Sequence, residues 1–202
     1  EKMETNSTVL TINYIGGTPS HNCIKFNIQS TKLNEVITDA NKGNLIIKNE
    51  SGDILNYRIE GSGTGNELKI FGIDSTQNAL LKIYYSEKII SSEAGTGGCR
   101  QVDDSSFTIG SLVEKQQVYE SNIISLKESY DSDCGETLKN DLGVPDGNEF
   151  TFSFEFANGT IMEPEPKCGS IPDTDVYATT FPLEYFNSDA NQEIGFLTIK
   201  VW

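Results

Sequence analysis

Histidine is nearly absent from this chain. His21 is the only one among 202 residues, and histidine alone titrates near neutral pH without a perturbing environment. It lies in a Pro19-Ser20-His21-Asn22 turn between two apolar runs. No nucleophile elbow stands beside it, and no second histidine sits at metal-ligand spacing. Ser-His-Asp and Cys-His catalysis are therefore not legible, and a solvated turn residue is the expectation. The glycine-rich stretch Gly61 to Gly65 lacks the Gly-Lys-Ser/Thr ending that reaches phosphates, so it reads as a turn. No run approaches the ~18 apolar residues of a membrane-crossing helix. Basic residues are scarce as well: 15 Lys and Arg face 30 Asp and Glu, for a net charge of -15. With no Lys/Arg cluster to offset that charge, nucleic acid is excluded as a partner. The chain is expected to be neither an enzyme nor a holder of a cofactor or metal.

The acidic residues do not assemble into an ion site on paper. Asp131-Ser132-Asp133 opens like a calcium loop, but Gly135 falls on the third acidic position and Leu142 on the twelfth, where a bidentate glutamate belongs. A helix N-cap at Asp131 or Asp133 is the better reading. Asp103-Asp104 and Asp173-Thr174-Asp175 read as solvated loops.

What the chain does have is alternation. Leu10/Ile12/Tyr14, Ile24/Phe26/Ile28, Leu55/Tyr57/Ile59 and Leu81/Ile83/Tyr85 each place apolar side chains on one face of a strand. Turn-rich breaks separate them: Gly16 to Ser20, Asn49 to Asp53 and Gly61 to Asn66. This pattern predicts a mainly β fold, an antiparallel β-sandwich of jelly-roll-like type over residues 1–95. A helical turn or long loop is expected over Lys32 to Lys42. The passage Ser91 to Gly98 reads as a linker.

A smaller α+β module over 96–202 is expected to follow. Tyr119, Ile123, Leu126 and Tyr130 fall on one helical stripe, which Cys134, Leu138 and Leu142 extend. Gly135 predicts a kink or a second short helix, and Gly143 with Pro145 a stop. Strands follow at Glu149 to Phe156, Thr160 to Met162 beyond an Asn158-Gly159 turn, Val176 to Phe186 and Ile194 to Trp202. Pro182 marks an edge strand. Phe150, Phe152, Phe154 and Phe156 share one face, expected to pack on the helix.

Four cysteines, Cys23, Cys99, Cys134 and Cys168, show no C-x-x-C spacing. Two disulfides in an oxidising compartment are expected. Of the three pairings, Cys23–Cys99 with Cys134–Cys168 keeps each bridge inside one predicted module. Asn6, Asn49 and Asn158 begin Asn-x-Ser/Thr sequons, two of them at expected hairpin tips, and are candidate glycosylation sites. The clean alternation of Ser7 to Ile15, followed by Gly16-Gly17, suggests a terminal strand on a hinge that could complete a neighbour's sheet. Leu10, Ile12 and Tyr14 are then the candidate subunit contacts.

Ile24 to Ile28, Leu45 to Asn49 with Gly52-Asp53, Leu55 to Glu60 and Ile83 to Tyr85 together resemble uncharacterised β-sandwich domains of bacterial and archaeal cell-surface proteins. That resemblance spans about Cys23 to Lys88 and implies extracellular display without transferring an active site. Leu142 to Pro145, the Phe150 to Phe156 strand and the ending Gly195 to Trp202 loosely resemble C-terminal regions of archaeal pilin-like or membrane-anchored surface proteins. Such proteins begin with a hydrophobic helix. This sequence shows none, which leaves strand-exchange assembly or an anchor lost in processing as alternatives, and Glu1 is read as the start of a mature, processed or trimmed form. The expected role is thus a secreted structural subunit of a cell surface or filament, a candidate glycoprotein associating with itself or other surface proteins. The alternative is a carbohydrate-binding or adhesion module using Tyr84, Tyr177, Tyr185 and Trp202.

Overall fold

The computed structural model describes residues 3–28, 33, 45–61, 66–86, 94–144, 147–165 and 176–202. The fold is mainly β. Along the chain run β1 (Glu4–Tyr14), β2 (Cys23–Asn27), β3 (Leu45–Lys48), β4 (Ile54–Leu55), β5 (Tyr57–Glu60), β6 (Glu67–Phe71), β7 (Ala79–Tyr85), β8 (Arg100–Val102) and β9 (Phe107–Val118). Helices α1 (Glu120–Asp133) and α2 (Glu136–Leu142) come next, then β10 (Phe150–Glu155), β11 (Ile161–Met162), β12 (Tyr177–Phe186) and β13 (Gln192–Val201). The chain divides into a continuous unit, Asn6–Gln116, and a split unit made of Glu1–Thr5 with Gln117–Trp202.

In the continuous unit two sheets form, ordered β4-β3-β7-β1-β9 and β5-β6-β2-β8. Their apolar faces supply a single core cluster, with Leu10, Ile12, Ile47, Leu81 and Ile83 from the first and Ile24, Phe26, Tyr57, Leu68 and Ile70 from the second. The pairing is antiparallel except for β2 with β8, which run parallel with Ile24 opposite Arg100. That pair departs from the all-antiparallel expectation because β8 enters the sheet directly after the Cys23–Cys99 disulfide.

The bridge also moves the predicted boundary. Residues 91–93 lie outside the described residues, but the rest of the expected linker is tied down. The Ala94 N–H donates to the Tyr57 carbonyl at 2.9 Å, and Gly95 lies directly under the Phe71 ring, where a Cβ would come within 2.4 Å of it. The chain then supplies β8 and β9 to the same unit, so the division falls at 116/117 rather than near 95. The helical or loop expectation over Lys32 to Lys42 lies, apart from buried Leu33, outside the described residues.

The split unit carries both helices and the antiparallel sheet β11-β10-β13-β12. The Tyr119 N–H donates to Asn122 Oδ1 at 3.0 Å, half of a capping box that starts α1. Asn122 Nδ2 in turn donates to Thr5 Oγ1, which anchors the chain's beginning to this helix. Cys134 and Gly135 adopt left-handed conformations and end α1. Asp133 accepts hydrogen bonds from the Gly135 and Thr137 N–H groups and the Thr137 hydroxyl, so its carboxylate caps the first turn of α2. The glycine break thus gives the second short helix that the sequence suggests; of the residues expected to extend the stripe, Leu138 is buried and Leu142 is exposed.

Phe150 and Phe152 meet Tyr130 edge to face, at ring separations of 5.4 and 5.7 Å, and the Tyr130 hydroxyl donates to the Phe150 carbonyl at 2.6 Å. Phe154 packs with Val118, Ile123 and Tyr185. Gly195 has to be small, since a Cβ there would lie 2.4 Å from Phe154 Cζ and 2.6 Å from the Glu155 carbonyl oxygen.

Candidate functional site

β1 sits between β7 and β9 in its own sheet, with Thr8 to Tyr14 in unbroken antiparallel register against Tyr85 to Ala79. Ile15 N–H donates to the Ser106 carbonyl and the Ser111 hydroxyl to Thr11 Oγ1, so β9 runs opposite to β1 along the other side. Leu10 and Ile12 are fully buried and Tyr14 nearly so. The candidate subunit contacts are therefore core residues of their own unit. A buried strand gains its hydrogen bonds from both flanks, and leaving would expose three large side chains.

The glycine hinge is a packed corner. A Cβ on Gly16 would fall 2.2 Å from the Thr76 carbonyl oxygen, and one on Gly17 2.3 Å from the Arg100 guanidinium. Gly16 N–H donates to Asn78 Oδ1 and Gly17 N–H to the Ser75 carbonyl. Arg100 Nη1 donates to the Tyr14 hydroxyl at 2.5 Å and to the Ser75 carbonyl at 3.0 Å, closing the end of β1.

Among the described residues, the sheet edges without a partner strand lie elsewhere. β9 and β12 are edge strands of 12 and 10 residues. Gly110 through Gln116 of β9 are all exposed, with Leu112 and Val113 each near half exposure. Tyr177 through Pro182 of β12 are exposed on both faces, and Tyr177 (76 %) and Phe181 (49 %) are among its apolar members. Among the described residues, a single bridge from Tyr119 to Phe186 touches the outer side of β12. Natural edges are usually short, charged or covered; these two are long and expose apolar side chains, beside Glu114 and Lys115 on β9 and Pro182 on β12.

The chemical candidates are structural. The ring of His21 faces the Pro19 carbonyl at 3.3 Å, and the backbone N–H of His21 donates to Ser75 Oγ. Asp103 accepts from Ser105 and Ser106 within one turn, and those bonds hold its carboxyl below the usual range. Asp131 pairs with Lys127 and accepts the Glu165 N–H. Among the described residues no cluster of three or more His, Cys, Asp or Glu could hold a metal ion; Asp173 and Asp175 lie outside them.

Cys23 is bonded to Cys99, and Cys134 is disulfide-bonded as well; Cys168 lies outside the described residues. Of the sequons, Asn6 and Asn158 are exposed. Asn158 uses its Oδ1 to accept the Thr160 N–H in the hairpin turn. Asn49 is half-buried and its Nδ2 donates to Asp53 Oδ2 at 2.9 Å, a bond that a glycan on that nitrogen would disturb.

The four candidate sugar platforms are divided between the units, with Tyr84 in one and Tyr177, Tyr185 and Trp202 in the other. Tyr185 is buried. Tyr84 belongs to the continuous unit, half-buried beneath Lys48. Tyr177 stands opposite Val201, so strand alternation puts Trp202 on the other face of the sheet. No family model, curated protein or solved structure matches this chain. The functional reading therefore rests on the molecule's own geometry.

Tyr185 repays a closer look because it couples the split unit to pH. Its hydroxyl donates to Glu193 Oε2 at 2.6 Å and accepts the Ala157 N–H at 3.2 Å. Burial, with the Glu193 carboxylate beside it, pushes its pKa up to about 12 from 10.0. The neutral phenol is thus favoured in the folded state, and its contribution is complete below pH 10. It is lost as pH rises from 10 towards 12, because the unfolded chain gives up that proton first. Urea unfolding at successive pH values is expected to show this alkaline loss, and Tyr185→Phe to flatten it. At pH 7 the same variant is expected to cost about 1–2 kcal/mol for the broken hydrogen bonds.

Proposed function

We propose that the protein is an extracellular structural component of a cell surface that associates with copies of itself through its open sheet edges. The observation that carries this reading is the pair of long edge strands, β9 and β12, which expose Leu112 and Val113 and Tyr177 and Phe181 among the described residues. Strand addition at such an edge draws affinity from main-chain hydrogen bonds and specificity from alternate side chains. In this reading the two sheets of the continuous unit form a β-sandwich, and the split unit is an α+β module. The Cys23–Cys99 disulfide suits an oxidising exterior. No helix among the described residues is long and apolar enough to cross a membrane. Exposed Asn6 and Asn158 are the sequons best placed to carry glycans. The contacts belong to the edges rather than to β1, whose donation would empty its own sheet.

Sedimentation velocity on the oxidised chain over rising concentration, with negative-stain images of the same samples, tests the reading. Oligomers or filaments are expected from the native chain. Two variants, Tyr177→Lys with Phe181→Lys and Leu112→Lys with Val113→Lys, place charge along one edge each and should shift the distribution towards monomer. A native chain that stays monomeric throughout sinks the proposal.

A further inference from the structure

A second feature of the split unit is independent of its edges. Between its helices and the inner face of its sheet lies a cavity of about 350 Å³. Leu126 of α1, Leu138 and Leu142 of α2, Phe152 of β10, and Leu197 and Ile199 of β13 form most of its wall. Among the described residues, every side chain of the wall is apolar. Close-packed interiors leave few voids larger than one water molecule, whereas this volume falls within the ~300–1,000 Å³ of small-molecule sites. Water is a poor occupant, since a buried water needs two to four polar partners and the wall supplies no polar side chain. Leu142 lines the cavity yet is 57 % exposed, which marks the rim as open beside the end of α2.

Charge narrows the class of ligand. The two lysines of the helices are already engaged: Lys139 with Glu149 at 2.9 Å and Glu136 at 3.7 Å, and Lys127 with Asp131 at 2.5 Å. Lys200 pairs with Thr151 across β10 and with Ala178 across β12, and strand alternation sets it on the face opposite Ile199 and Val201. An anionic head group would thus find committed cations in a chain of net charge -15.

We infer that this cavity is a binding site for an uncharged aliphatic molecule, such as a neutral lipid or long-chain alcohol, held by its hydrocarbon part. Binding is driven by apolar burial, and discrimination against a carboxylate head comes from the surrounding acidic groups.

The test uses the oxidised full chain and the neutral dye Nile red. Saturable binding at one dye per chain is expected, with displacement by 1-decanol. Displacement by decanoate at a pH above its pKa should require about tenfold more competitor, a difference of roughly 1.4 kcal/mol. Ile199→Trp fills the cavity from the sheet side and should weaken dye binding about tenfold or more, with far-ultraviolet circular dichroism reporting whether the fold is kept. Leu142→Arg, at the exposed rim, gives a second variant that does not disturb the packed interior and should also weaken binding. Absence of saturable uptake by the native chain, or uptake unchanged in both folded variants, overturns the site. Equal potency of decanoate and decanol overturns its preference for an uncharged ligand.

Discussion

Deleting residues 4–14 is expected to unfold the continuous unit rather than release a compact particle. β1 lies inside a five-stranded sheet, and its removal strips β7 and β9 of their shared partner. Leu10 and Ile12 are 0 % and Tyr14 2 % exposed. At ~1.5–3 kcal/mol for each fully buried large side chain, their loss alone costs about 5–9 kcal/mol. That equals much or all of a domain's ~5–15 kcal/mol of net stability, before any unpaired backbone is counted. Far-ultraviolet circular dichroism should show the loss of native sheet in the truncated chain. A synthetic peptide of residues 4–15 added in trans should restore it with saturable dependence on peptide concentration. Such rescue would demonstrate that the acceptor groove takes this strand from outside, which is the physical content of strand donation. A truncated chain that melts at the native temperature would remove β1 from any account of stability or assembly.

Replacing Cys23 and Cys99 together by alanine is the second large effect. The bridge joins residues 76 positions apart, so the reduced unfolded chain regains a long loop's worth of freedom. The chain-entropy model gives about 4.5 kcal/mol for a loop of that length. Cys23 is 3 % exposed, and alanine adds a small packing loss without burying a new polar group. Guanidinium melts of the oxidised native chain and the double variant, compared at equal pH, should differ by about 3–5 kcal/mol. A difference under about 1 kcal/mol would mean that the β2–β8 pairing holds Cys99 in place without the covalent link. Non-reducing peptide mapping should return Cys23 linked to Cys99.

Elements with a local cause were legible in the residues. The stripe Tyr119, Ile123, Leu126 and Tyr130 marks α1, and Gly135 separates it from α2 because φ +82° suits glycine. Asn158-Gly159 makes the β10–β11 turn, and Pro182 lies on an edge strand. The division between units was not legible, for it depends on partners far away in sequence. β8 is three residues long and exists because β2 is beside it. In β9, Leu112 and Val113 adjoin a polar run, Glu114 to Gln117, so alternation never announces a strand. The Gly/Ser-rich passage looks like a linker when composition is read locally, and only the folded chain reveals Phe71 and Tyr57 as its anchors. The apolar cavity was hidden for a related reason. Each of its wall residues reads as ordinary core, and only the spacing of helices and sheet leaves room between them.

The split unit draws its first residues from one end of the chain and the rest from beyond Gln117. Met3 packs with Phe156 and Met162 around the core of Val118, Phe154 and Tyr185, none of which exists while residues 6–116 are being made. For a polypeptide that emerges amino end first from a ribosome or a translocation pore, this fixes an order of events. The continuous unit can close as soon as β9 has emerged, whereas Met3 to Thr5 wait for their partners until the strands beyond Gln117 have been made. That segment acts as a late latch, so a synthesis arrested before β13 would leave one finished unit and one unfinished one on the same thread.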